Sequence, residues 1–178
     1  ISTFLNKNKN KKFLIFGFSN EIYEFFKKIS KSKYLYKFNN GILLHGGGWK
    51  KLEKIKVTNQ IFNNFLKSNF KIKNIINYYG LIEQVGSIFF ECQKCNNFIC
   101  SDYSDIFIRD KDLKIRESGI GFVQLISTLP TSYPGHNILT EDIGEIINQD
   151  KNSCNHKGKV FKIYGRAKRS EVRGCSNV

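Results

Sequence analysis

Apolar positions along the chain follow two rhythms. From Phe13 to Phe18 they are almost continuous, as in a buried strand, and from Ser19 onward Ile22, Phe25, Phe26 and Ile29 recur at the i, i+3, i+4, i+7 spacing of a helix face. Ser19 is placed to cap that helix. Gly41-Ile42-Leu43-Leu44 predicts a second strand running straight into His45-Gly46-Gly47-Gly48. Thr58 then caps a second helix with Ile61, Phe62, Phe65 and Leu66 on its apolar side, and Ile75 to Tyr79 predicts a third strand stopping at Gly80. This alternation predicts a parallel sheet with crossover helices. Beyond Gly86 the pattern changes to short strand candidates at Ser87–Glu91, Ile106–Ile108, Phe122–Ile126, Gly144–Ile147 and Val160–Tyr164. The expected class is α/β, with parallel βαβ units followed by a β-rich, antiparallel half. No internal repeat or sustained heptad interrupts it.

Composition is consistent with a packed fold. The 178 residues are 40% hydrophobic, and 16 Phe with 8 Tyr supply the bulky material that a disordered chain lacks. No apolar run approaches the ~18–20 residues of a membrane-spanning helix, and Phe13–Phe16 is too short for a secretory signal. A cytoplasmic protein is expected. The chain contains no Met, so it is expected to be the C-terminal piece of a longer protein. Its net charge of +14 admits an anionic partner. Lys is nevertheless scattered among Asn and Ile, and no recognised nucleic-acid motif is present. A zinc-stabilised, basic nucleic-acid-binding module is the alternative from a different functional class.

Four short constellations carry candidate chemistry. The three glycines of His45-Gly46-Gly47-Gly48-Trp49-Lys50 remove every Cβ, which lets a flat ring or phosphate approach the backbone. In Tyr78-Tyr79-Gly80-Leu81-Ile82-Glu83 an aromatic beside a glycine can stack on a base, and the carboxylate can hold a hard cation. In Thr140-Glu141-Asp142, an Asp on a turn can accept from both hydroxyls of a ribose, and Arg166 in Tyr164-Gly165-Arg166 can hold ribose or phosphate.

Taken in order, these blocks resemble the later core motifs of the adenylate-forming superfamily. With Glu83-Gln84, Ser132-Tyr133-Pro134-Gly135-His136, Leu139 to Asp142, and Glu171-Val172-Arg173-Gly174-Cys175 included, the chain resembles the acyl-protein synthetase (LuxE-type) family from about Gly41 to its end. The resemblance implies ATP-dependent activation of a fatty acid as acyl-AMP, with Mg2+, and transfer of the acyl group to the enzyme's own Cys175. An acyl-reductase or other acyl-acceptor protein would then take it. It further implies that Gly46, Gly47 and Gly48 border an adenine pocket with Tyr79 and Gly80, that Glu83 binds Mg2+, that Asp142 takes the ribose hydroxyls, and that Arg166 supports ribose or phosphate at a hinge. By the same resemblance, residues 1–165 are the C-terminal portion of the core domain and 166–178 the hinge and cysteine-bearing tail. An acyl-CoA ligase of the phenylacetate type is the related alternative. The earlier Ser/Thr/Gly-rich phosphate loop is not in the sequence, so the chain is expected to be an incomplete enzyme.

The five Cys are an odd set with no secretory signal, which favours metal binding or a reactive thiol over a disulfide framework. Cys92-Gln93-Lys94-Cys95 is a knuckle that offers two thiolates to one ion, and Cys154 with His156 can complete a tetrahedral Zn2+ site. Cys100 could replace any one of them. Arg169 and Arg173, near Cys175 in sequence, favour its thiolate form. His45 and His136 are left outside the catalytic set, because a lone His beside a turn is more often a hydrogen-bonding residue.

Overall fold

In a computed structural model of the protein, residues 1–47, 57–148 and 156–167 are described. The chain divides into two compact units, Ile1–Asn77 and Tyr78–Val178.

The first unit contains α1 (Ser2–Lys7), β1 (Phe13–Phe18), α2 (Ser19–Ser30), β2 (Gly41–Gly46), α3 (Asn59–Phe70) and the start of β3 (Asn74–Gly80). β1 and β2 pair in parallel, from Phe13 opposite Gly41 to Phe18 opposite Gly46, with α2 as the crossover between them. This is the βαβ unit that the alternating rhythms predict. Ile22, Phe26, Leu43, Phe62, Leu66, Phe70 and Ile72 are buried together. Each large apolar side chain taken out of water contributes about 1.5–3 kcal/mol before entropy is counted. The buried stripe on each helix is narrower than its spacing suggested: Phe25 is 43% exposed and Ile61 54% exposed. Both stand roughly 100° around the helix from the neighbours that point inward.

The ends of the helices separate two kinds of capping. Thr58 does cap α3, its hydroxyl accepting from the Ile61 N–H, and the helix closes on Lys71 in the left-handed conformation with its N–H on the Lys67 carbonyl. Ser19 does not cap α2; Phe18 stands at that position and no side chain caps the helix. The Ser19 hydroxyl is instead buried against His45 and Gly46. A tertiary partner has displaced the local one.

The second unit contains the end of β3 followed by β4 (Ile88–Glu91), β5 (Phe98–Ile99), β6 (Ser104–Arg109), β7 (Ile115–Arg116), β8 (Gly121–Ser127), β9 (Asn137–Ile147) and β10 (Val160–Arg166). Its strand order is β3-β4-β5-β10-β9-β8-β6-β7, and each pairing with a recorded register here is antiparallel. Phe89, Ile106, Ile108, Val123, Leu125 and Phe161 form its core, with Tyr79, Phe98 and Ile163 packed against it. β9 begins at Asn137, seven residues before the strand expected from Gly144. Thr140, Glu141 and Asp142 therefore lie on a strand and not on the turn expected for them. Among the described residues, no helix is long and apolar enough to cross a membrane.

Candidate active site

Within the second unit, strand pairing brings Tyr79, Asp142 and Arg166 together. Tyr79 sits at the end of β3, its ring packed at centroid distances of 6.1, 5.9 and 6.2 Å from Phe89, Phe98 and Phe161. Its hydroxyl donates to Asp142 Oδ2 at 2.6 Å. Burial first, and then the charge and hydrogen bond of Asp142, push the Tyr79 phenol well above the usual tyrosine range. Tyr79 is therefore a fixed donor that orients the carboxylate. Thr140 holds the backbone beneath it, accepting from the Asp142 N–H at 3.0 Å and donating to the Val123 carbonyl at 2.8 Å.

Arg166 reaches the same carboxylate through an irregularity in β10. The β9–β10 register slips between Ile163 and Gly165, so that Tyr164 is the extra residue and Arg166 comes opposite Asp142. Gly165 carries φ +126° at that bulge, a backbone conformation that side chains disfavour. Arg166 Nε lies 3.9 Å from Asp142 Oδ1 and Nη1 lies 3.8 Å from Glu141 Oε2. With the Arg side chain 44% exposed and that of Asp142 only 16% exposed, the pair adds little stability in water. What it does place is a cation and an acceptor side by side where β10 ends.

Glu83 stands exposed on a single 3-10 turn, Ile82–Gln84. The next residue, Gln84, belongs to the same sequence block, but the resemblance implies no role for it. It is 1% exposed, and its Nε2 donates to the carbonyls of Gly135 at 2.9 Å and Leu125 at 3.3 Å. Tyr133 completes the clamp by accepting the Val85 N–H on its hydroxyl at 2.8 Å. A Cβ on Gly135 would collide with the Tyr133 ring and come within 2.9 Å of the Glu83 carbonyl, so only glycine lets the two segments close. The turn bearing Glu83 is thus fastened to the Ser132–His136 block. Gln84→Leu is expected to lower stability by about 1–3 kcal/mol, since two carbonyls lose a buried donor. Urea denaturation with an unchanged m-value would check this.

The glycine turn belongs to the first unit. Gly46 ends β2 with its carbonyl accepting from Ser19 Oγ at 3.0 Å, and Gly47 follows with φ +74°. A Cβ there would press to 3.0 Å from the Phe18 ring. Gly48 lies outside the described residues, as do Cys154 and Cys175. Gly80 ends β3 opposite Ile88. His45 is buried, with Nδ1 2.9 Å from Ser19 Oγ and its ring 4.7 Å from that of Phe62. The Ser19 proton is given to Gly46, so His45 Nδ1–H is the donor to Ser19, and the ring is a neutral structural element.

Elsewhere in the second unit, the ligand atoms of Cys92, Cys95 and His156 lie within 4.8 Å of one another. Cys100 is not in that group; it is buried, and burial pushes its thiol up to about 12.

Among solved structures, the chain resembles the inhibitor-bound N-terminal domain of FACL13 from Mycobacterium tuberculosis, with TM-score 0.61 and 14% identity over 93% of this chain and 40% of that one. A long-chain-fatty-acid-CoA ligase (FadD1) from Archaeoglobus fulgidus matches with TM-score 0.61 and 11% identity, over 92% of this chain and 36% of the other. The ATP-bound RpMatB-BxBclM chimera B3 matches with TM-score 0.58 and 13% identity, over 93% and 33%. The chain thus spans about a third to two fifths of the structures it matches, and shares the fold of the corresponding part of adenylate-forming enzymes. Curated proteins offer no match. The family profile described as Acyl-protein synthetase, LuxE, matches residues 2–178. A match of that extent makes the chain a member of the LuxE acyl-protein synthetase family.

Proposed function

We propose that the protein of which this chain is part activates a fatty acid with ATP as acyl-AMP and transfers the acyl group to a cysteine of its own, Cys175. The observation that carries this reading is the Tyr79–Asp142–Arg166 group. A carboxylate oriented by a buried phenol and flanked by a guanidinium can accept from two ribose hydroxyls while the cation meets ribose or phosphate oxygen. The uncovered part of the Tyr79 ring would lie against adenine, with Gly80 beside it. Glu83 is an exposed hard oxygen donor, which suits Mg2+. The ion would neutralise phosphate charge, while Asp142 and Arg166 position the nucleotide. A fatty acid as substrate and an acyl-accepting protein as partner belong to the same proposal, which membership of the LuxE acyl-protein synthetase family supports. The Cys92, Cys95 and His156 group takes no step in this chemistry.

Asp142→Asn is the direct test. The neutral amide has one acceptor where the carboxylate has two, and loses a charge-assisted bond of about 1.5–3 kcal/mol. ATP affinity in the presence of Mg2+, measured by calorimetric titration of the intact chain, is expected to fall roughly 10- to 100-fold. Equal affinities for the parent and the variant would remove Asp142 from the nucleotide site. A melting temperature held near that of the parent separates this result from misfolding.

A further inference from the structure

We propose that Cys92, Cys95 and His156 form a structural Zn2+ site that staples three adjacent strands of the second unit. Cys92 immediately follows β4, Cys95 stands three residues before β5, and His156 stands four residues before β10. These strands are neighbours in the order β4-β5-β10. Their pairing is short: β5 has two residues, with Ile99 between Phe90 and Val160 and Phe98 between Glu91 and Phe161. So few ladder bonds hold this part of the sheet that a cross-link at the strand ends has clear structural use.

The geometry and the donor chemistry agree. With Zn–S of about 2.3 Å and Zn–N of about 2.0–2.1 Å, tetrahedral ligand atoms stand roughly 3.5–3.8 Å apart. The three atoms here lie within 4.8 Å of one another, so a small rotation about the side-chain bonds closes the set. The backbone between the cysteines is already turned for it. Cys92 N–H donates to the Asn97 carbonyl and Asn96 N–H to the Cys92 carbonyl, each at 2.8 Å, with Asn96 at φ +54°. The Lys94 N–H points at Cys92 Sγ from 3.4 Å, the kind of amide contact that stabilises sulfur carrying negative charge. Two thiolates and an imidazole are soft or borderline donors; they select Zn2+ over the Mg2+ expected for the nucleotide site. Two deprotonated thiols also balance the charge of the ion, so the ion with these three ligands is neutral. The fourth coordination position is left to a donor outside these three.

The test uses the intact chain, purified under reducing conditions and reconstituted with Zn2+ alone. Native mass spectrometry with elemental analysis is expected to give one zinc per chain, and Cys92→Ser and Cys95→Ser are expected to lose it. Cys100→Ser should retain it. Co2+ bound to the unaltered chain is expected to show thiolate-to-metal charge transfer with tetrahedral ligand-field bands, a readout that does not depend on how the variants fold. Absence of stoichiometric zinc, retention of zinc in both knuckle variants, a cobalt spectrum without the thiolate band, or a Cys92–Cys95 disulfide in reduced preparations would each overturn the assignment. Because nucleotide binding is not the readout, failure here leaves the acyl-activation reading to its own test.

Discussion

In the complete protein, Cys175→Ser is expected to leave acyl-AMP formation intact and to abolish stable acylation of the polypeptide. Adenylation joins a carboxylate oxygen to the α-phosphorus and releases pyrophosphate, and no thiol takes part. Transfer is different: a thiolate attacks the acyl carbonyl, the C–S bond forms, the C–O bond to AMP breaks, and AMP leaves with the electron pair. A serine hydroxyl at the same place is almost wholly protonated at neutral pH and cannot replace the thiolate without a base. Labelled fatty acid with ATP and Mg2+ reads both steps, acyl-AMP in the small-molecule fraction and acyl adduct by intact mass. Stable label at another residue of the variant would end the role of Cys175. Acyl transfer to coenzyme A by parent and variant alike would point to the acyl-CoA ligase alternative.

Acid is expected to weaken the fold through His45 by about 3 kcal/mol, the second of the large effects. Burial lowers this imidazole from 6.5 to about 4. The sign follows from which state binds the proton. Above pH 6.5 both folded and unfolded forms carry a neutral His45, and its contribution is fully present. As pH falls from 6.5 toward 4, the unfolded chain takes up a proton that the folded one refuses, so stability drops by about 1.4 kcal/mol per pH unit over that window. Below pH 4 the loss levels off. His45→Asn retains an amide N–H able to donate to Ser19 and does not titrate. The difference in urea-unfolding free energy between parent and variant should therefore change across pH 4–6.5 and be flat above it. A difference that does not vary with pH would show that His45 is not held neutral.

Much of the fold is legible in the residues themselves. The run Phe13–Phe18 and the Thr58 cap with Phe62 and Leu66 behind it are local signals, and β1 and α3 occur at those places. The chemistry-bearing blocks were visible in the same way, because Gly-rich turns, Tyr-Gly pairs and Thr-x-Asp are short strings whose order identified the family. Ser19 departs from its local expectation for the opposite reason. Its position satisfies the local rule for a cap, but His45, 26 residues away, offers a buried partner that no local rule contains.

Spacing within a few residues and the order of blocks therefore carry the longer elements, the passage from βαβ units to a β-rich half, and the LuxE family, whereas the short α1, β5 and β7 have no such signal. Long-range strand pairing settles that the Tyr79 hydroxyl meets Asp142 across 63 residues, and that β9 starts early enough to put Asp142 on a strand. The tertiary structure also settles that a one-residue slip at Tyr164 brings Arg166 opposite that Asp, and that Gln84 fastens the Glu83 turn to Gly135. These contacts depend on strand register and on where buried polar groups find partners. A pleated strand alternates faces with a period of two, so a single extra residue changes which side chains meet. Hydrophobic rhythm predicts the strand but carries no count of its neighbours' bulges.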